Sequence, residues 1–177
     1  MMKFNPAILL CSAALLTSNV SAGPEAFRDG SLIEGYGKIA DVPDATIIPK
    51  DSMFKVSWDL AKAAENGELN RGLDTVARFM NMHHAVGIPV KQLRLAVVVH
   101  GGAHQDLLGE AAYGGVNPNA PLIAQLVEHG VQVTLCGQTA AYYGIGKEDL
   151  LPGVTLSLSA MTAHALLQQQ GYSLNPF

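Results

Sequence analysis

Residues 93–99, LRLAVVV, make an almost unbroken apolar run with three consecutive valines. Apolar, β-branched side chains on both sides of an extended segment need cover above and below, the situation of a central strand in a parallel sheet. The rest of the chain must then supply two covering layers, and its periodicity does so. Residues 53–58, MFKVSW, mostly alternate apolar and polar, which predicts a first strand. Residues 61–67 read as an irregular or short helical link. From 69 to 85, Leu73, Val76, Ala77, Met80 and His84 recur at three- and four-residue spacing, one face of a helix that Gly87 and Pro89 end. Residues 103–116 begin like a short helix and finish in a flexible glycine loop. Asn117 before Pro118 reads as cap and first residue of the next helix, whose stripe is Leu122, Ile123, Leu126 and Val127 and whose end is Gly130. A strand to Cys136, a helical turn through Ala141, a loop with Gly144 and Gly146, a strand at 154–158 and a helix at 160–170 closed by Gly171 complete the order. Strands alternating with helices at this spacing predict a three-layer α/β fold: a mostly parallel sheet with helices on both faces, of the flavodoxin or Rossmann-like kind.

The 177 residues suit one domain with a sizeable core. At the N-terminus, Lys3 precedes an apolar stretch from Ala7 to Leu16 and a small-residue pattern at Val20 and Ala22, the order of a secretory signal. The apolar run is shorter than the roughly 20 residues a helix needs to cross a bilayer. Cys11 follows two leucines rather than the small residue of a lipoprotein signal. We therefore expect residues 1–22 to be a cleaved signal peptide, residues 23–50 an N-terminal arm with at most one short strand, and residues 51–177 the α/β domain. The expected compartment is the periplasm, with no membrane attachment after cleavage. Cys136 is then the one cysteine of the mature chain, and a lone thiol in an oxidising compartment must be well buried or have a task. Removing Lys3 moves the formal charge from -4 to -5. An acidic chain without a Lys/Arg cluster argues against nucleic acid as a partner.

Open α/β sheets bind ligands beyond the carboxyl ends of their strands. Those ends carry Trp58 and Asp59, then His100-Gly101-Gly102, then Cys136-Gly137, then Ser157 and Ser159. Cys136 is placed where a strand stops and a helix starts, so free amides and the positive end of the helix dipole favour its thiolate. The opposite reading is a small apolar residue closing a core strand. If the strands ending in His100 and Cys136 are neighbours, about 4.8 Å apart, the imidazole can take the thiol proton or stabilise the thiolate. His104, four residues on, could join His100 and Cys136 as a three-ligand metal set, but no second cysteine or carboxylate cluster completes it. No metal or cofactor is expected. His83, His84, His129 and His164 read as packing or solvent-facing residues. The chain lacks GxGxxG, GxxxxGK[ST], CxxC and GxSxG, the signatures of nucleotide binding, disulfide exchange and serine hydrolysis.

Taken together, the strand ending in His100-Gly101, the helix and loop leading to Asn117-Pro118, the run from Gly130 to Gly137 and the tail from Leu151 to Ala160 with Gln170-Gly171-Tyr172 resemble the DsrE/DsrF-like proteins. The resemblance covers residues 53–172. It implies a small α/β fold, usually assembled as an oligomer, in which a cysteine at the position matching Cys136 carries sulfur as a persulfide between proteins. Family members work in cytoplasmic sulfur relays with partner subunits and small carrier proteins. The apparent export signal and the N-terminal arm set this chain apart from them.

The expectation is therefore a periplasmic sulfur-handling protein, a homo-oligomer in which Cys136 accepts and passes on sulfane sulfur, His100 tunes it, and a sulfur donor or acceptor protein docks nearby. The competing readings are a cysteine hydrolase with Cys136 as nucleophile, His100 as base and Asp59 as orienter, a metal-binding protein, and a non-catalytic oligomeric binding module with an inert thiol.

Overall fold

The computed structural model describes residues 23–65 and 67–176. The expected signal segment lies outside the described residues. In residues 23–50, strands β1 (Phe27–Arg28) and β2 (Ile39–Ala40) pair antiparallel, two short strands where at most one was expected. This segment packs on helix α1 (Arg71–Ala85). Asn81 of α1, 1 % exposed, accepts the backbone N–H of Leu32 and Ile33 and donates to the carbonyls of Ile33, Tyr36 and Gly37. A single buried amide thus satisfies five backbone groups of a segment that has little regular structure of its own.

The central sheet holds β3 (Phe54–Leu60), β4 (Leu93–Val99), β5 (Gln132–Cys136), β6 (Thr155–Ser157) and β7 (Ser173–Asn175), all parallel, in the order β6-β5-β4-β3-β7. The valine-rich run is β4, the central strand, and six of its seven residues are buried. Alternation along the strands divides the side chains between two faces. Val56, Trp58, Leu95, Val97, Val99, Val133 and Leu135 meet Leu73, Val76 and Met80 of α1 and Leu122, Ile123 and Leu126 of helix α3 (Ala120–Glu128) in the main core. Ala96 and Val98 on the opposite face meet Leu167 of helix α5 (Ala160–Gln169) and Tyr172. Helices cover both faces, as the three-layer reading requires. Alanines on the second face, Ala96 from the sheet and Ala160 and Ala163 from α5, leave that layer thin.

The connections differ from expectation in three places. Residues 101–107 wind into a 3-10 helix directly after β4, followed by the short helix α2 (Glu110–Tyr113). Asn117 does not cap α3. It is buried, its amide donates to the carbonyls of Asp106 and Leu108, and its side-chain oxygen accepts from the N–H of Asn119, which is the residue preceding the helix. A rigid polar link was therefore worth more at this position than a cap. Strand β7 was not anticipated at all.

The same end of the sheet is braced by Asp106, 4 % exposed, which accepts from the N–H of Ala64 and from the side-chain amides of Asn70 and Asn119. Asn70 in turn caps α1 by accepting the N–H of Gly72. The loops at the carboxyl ends of β3 and β4 are thus tied to the starts of α1 and α3.

Candidate functional site

Parallel register brings the chemistry together. Asp59 lies beside Val98, Val98 beside Thr134, and Cys136 beside Ser157. Trp58 turns into the main core, so Asp59 is on the α5 face of β3, and His100, two residues beyond Val98, is on the same face level with Cys136. The first residues of α5 arrive over this face. A pocket of about 290 Å³ results, lined by Asp59, His100, Cys136, Thr139, Ala160 and His164 among others.

Cys136 is a free cysteine, 6 % exposed, in extended conformation at the cap position of helix α4 (Gly137–Tyr143). Burial pushes its thiol pKa up. The backbone N–H groups of Thr139 and Ala160, the Thr139 hydroxyl and the N–H of Gln138 outweigh that and hold it below the ordinary thiol value. The donors come from the first turn of α4 and the first residue of α5, so the starts of two helices converge on one sulfur. Donors placed in this way favour the thiolate form. Close approach is built in by Gly137, where a Cβ would fall on the carbonyl oxygen of Ser157. Ser159, which caps α5 by accepting the N–H of Thr162, fixes where that helix begins.

Asp59 is shared by two histidines. His100 Nε2 lies 3.2 Å from Asp59 Oδ2 and His164 Nε2 lies 2.8 Å from Asp59 Oδ1. A carboxylate can only accept, so both Nε2 atoms carry a hydrogen. Burial raises the Asp59 pKa, while the hydrogen bonds from His164 and His100 and the charges of both rings lower it, with a net shift below the usual carboxylate range.

Of the residues picked out from sequence, Cys136, His100 and Asp59 share this pocket and His104 does not. The His104 ring stacks on Tyr143 with 3.9 Å between centroids, and its Nδ1 donates to the Gly101 carbonyl at 2.8 Å. The 3-10 turn after His100 directs His104 to a separate cleft of about 630 Å³ with Tyr113 and Tyr143. That cleft is the larger, but the reactive groups converge in the smaller pocket, and we place the site there. The alternative metal set of His100, His104 and Cys136 is not assembled in this arrangement. Among the described residues no three His, Cys, Asp or Glu side chains are grouped to hold a metal ion. The bland reading of His164 is corrected, since this helix residue reaches across the sheet face to Asp59.

The sequence pattern of the DsrE/DsrF-like family matches residues 55–176 of this chain. The chain belongs to the DsrE/DsrF-like family. Among curated proteins none matches this DsrE/DsrF-like chain. A solved structure of a protein of unknown function, MTH1491 from Methanobacterium thermoautotrophicum, is 19 % identical, covers 69 % of this chain and 97 % of its own, and superposes with a TM-score of 0.55. The ychN protein from E. coli is 18 % identical over 69 % of this chain and 100 % of its own, with a TM-score of 0.49. The first of these supports the fold alone. Within this DsrE/DsrF-like chain the site residues that sequence reasoning missed are Thr139 and His164. The TAA of α4 placed Thr139 one turn past Cys136, a readable signal. Nothing in the sequence showed that α5 would lie over the strand ends.

Proposed function

We propose that this is a periplasmic sulfur-handling protein in which Cys136 accepts sulfane sulfur and passes it on as a persulfide, with His100 beside it. The observation that carries the reading is the placement of Cys136 at the start of α4 in one pocket with His100, Thr139 and the first residue of α5, with its thiol pKa held below the ordinary value. Membership of the DsrE/DsrF-like family supports it. The required chemistry is modest. A thiolate attacks the outer sulfur of a persulfide R–S–SH, a new S–S bond forms to Cys136, the old one breaks, and R–S⁻ leaves. Neither an oxidant nor a cofactor is consumed.

The test is mass spectrometry of the native protein after exposure to an organic persulfide, with alkylation rate measured against pH. Gain of one sulfur by the wild type and none by Cys136→Ser is expected. A thiol that titrates at or above about 8.5 and gains no sulfur refutes the reading. Among the described residues no helix is long and apolar enough to cross a membrane, and export with cleavage near Gly23 is part of the proposal. The intact mass of exported protein tests it. A homo-oligomer is proposed too, because Leu158, Met161 and Leu166 leave an apolar patch exposed around the start and middle of α5. Light scattering decides it.

The Asp59–His100 bond also favours a second reading, the cysteine hydrolase with Asp59 as orienter. Stoichiometric burst labelling of Cys136 by an activated ester would support that reading over the first.

A further inference from the structure

We propose that His100 delivers a proton to the leaving thiolate as sulfur moves onto Cys136, and that Asp59 and His164 are positioning residues that hold the His100 ring for this step. The inference rests on the sulfur-carrier reading and gives it a donor class.

Two imidazole rings share one carboxylate. Both Nε2 atoms donate to Asp59, so in each histidine the exchangeable position is Nδ1. The two Nδ1 atoms are not equivalent. In His164 that atom is buried without a hydrogen-bond partner, so no group in the pocket is placed to exchange a proton with it. His164 thereby serves as the fixed anchor of Asp59. The His100 side chain is 33 % exposed against 16 % for His164, and it lies level with Cys136 in the parallel register. Its Nδ1 is the one that solvent can load and a ligand in the pocket can unload. The Asp59 carboxylate fixes the ring plane and balances the charge when the proton is present.

The Cys136 thiolate attacks the outer sulfur of R–S–SH, the S–S bond to R breaks with its electron pair going to R–S, and the Nδ1 proton of imidazolium His100 passes to that sulfur. The products are Cys136–S–SH, R–SH and neutral His100, with no net redox change. A proton donor matters only when R–S⁻ is a basic leaving group, because acidic thiols leave readily as anions. The site is therefore matched to aliphatic persulfides.

The experiment measures the rate of sulfur gain on the full protein, at one fixed pH, from persulfides whose parent thiols run from aliphatic to nitro-aromatic. For the wild type the rate should depend weakly on the parent thiol. His100→Asn should lose about tenfold or more with the aliphatic donor, in keeping with general-acid effects, and much less with the nitro-aromatic one. Asp59→Asn and His164→Asn should show the same donor-selective pattern to a smaller degree. The nitro-aromatic donor serves as the control for folding, since a collapsed site would slow both donors alike. Equal loss with all donors in a His100→Asn variant whose thermal melt matches the wild type overturns the proton-donor role while sulfur gain by the wild type leaves the carrier reading standing. Wild-type rates with the aliphatic donor in His164→Asn overturn its positioning role. A wild type that takes sulfur from no donor overturns the carrier reading and this inference together.

Discussion

Gly101 donates its backbone N–H to the Thr139 hydroxyl oxygen at 3.2 Å, joining the turn after β4 to the first turn of α4. Because an N–H can only donate, the oxygen accepts here and its own hydrogen is left for another partner, and the Thr139 hydroxyl is among the groups that lower the Cys136 thiol pKa. Thr139→Val keeps the shape and removes both interactions. It should raise the pH at which Cys136 becomes alkylated by roughly one unit, the scale of one hydrogen bond to a charged acceptor, and Thr139→Ser should restore it. An unchanged alkylation profile for Thr139→Val would show that the backbone amides alone hold the thiolate.

Asp59 makes the stability depend on pH. Its folded pKa is below the ordinary value because the bonds from His164 and His100 outweigh burial. A depressed carboxylate pKa stabilises the fold fully above the unfolded value, near 4, and that contribution is lost as pH falls through the lower folded value. Asp59→Asn should therefore lower the melting temperature at neutral pH, and the gap from wild type should narrow progressively below about pH 4. Thermal melts across that range check it.

Gly137→Ala should be destabilising by roughly 1–3 kcal/mol, since the added methyl would strike the Ser157 carbonyl, a backbone atom of β6 that cannot swing aside. The same displacement would move the first turn of α4 away from the sulfur. Urea unfolding and Cys136 alkylation should change together. A variant that loses stability but keeps the wild-type thiol titration would show that the close approach serves packing only.

Asn81→Ala should release residues 30–40 from α1, because it strips the N–H groups of Leu32 and Ile33 and the carbonyls of Tyr36 and Gly37 of their partner. Buried groups left unpaired cost about 1–3 kcal/mol each in apolar surroundings. Limited proteolysis should cut first in this segment, ahead of any loss of the central sheet.

The parts of the fold carried by periodicity were legible. The apolar run at 93–99 became the central strand, and the stripe on 69–85 became α1. Asp59, His100 and Cys136 were legible as strand ends because a parallel sheet delivers such residues to one edge. What was not legible came from contacts between distant segments. Strand β7, Ser173–Asn175, is three residues long with exposed or half-exposed side chains, so its place beside β3 follows from pairing and not from pattern. His104 sits only four residues from His100, but a 3-10 turn rather than an α-turn sends its ring to Tyr143. His164 looked like a helix surface residue, and only the thin alanine layer beneath α5 brings it down to Asp59.

The last helix has a consequence for timing. Strand β6 lies at one edge of the sheet and β7 at the other, so the segment carrying α5 must travel back across three intervening strands before the order β6-β5-β4-β3-β7 exists. Ala160 and His164 ride on that segment, which is made well after Cys136. A chain halted before this return would hold Cys136 at the start of α4 but would lack Ala160 and His164 in its pocket. The pocket around Cys136 is thus closed only in a chain that has completed its sheet order.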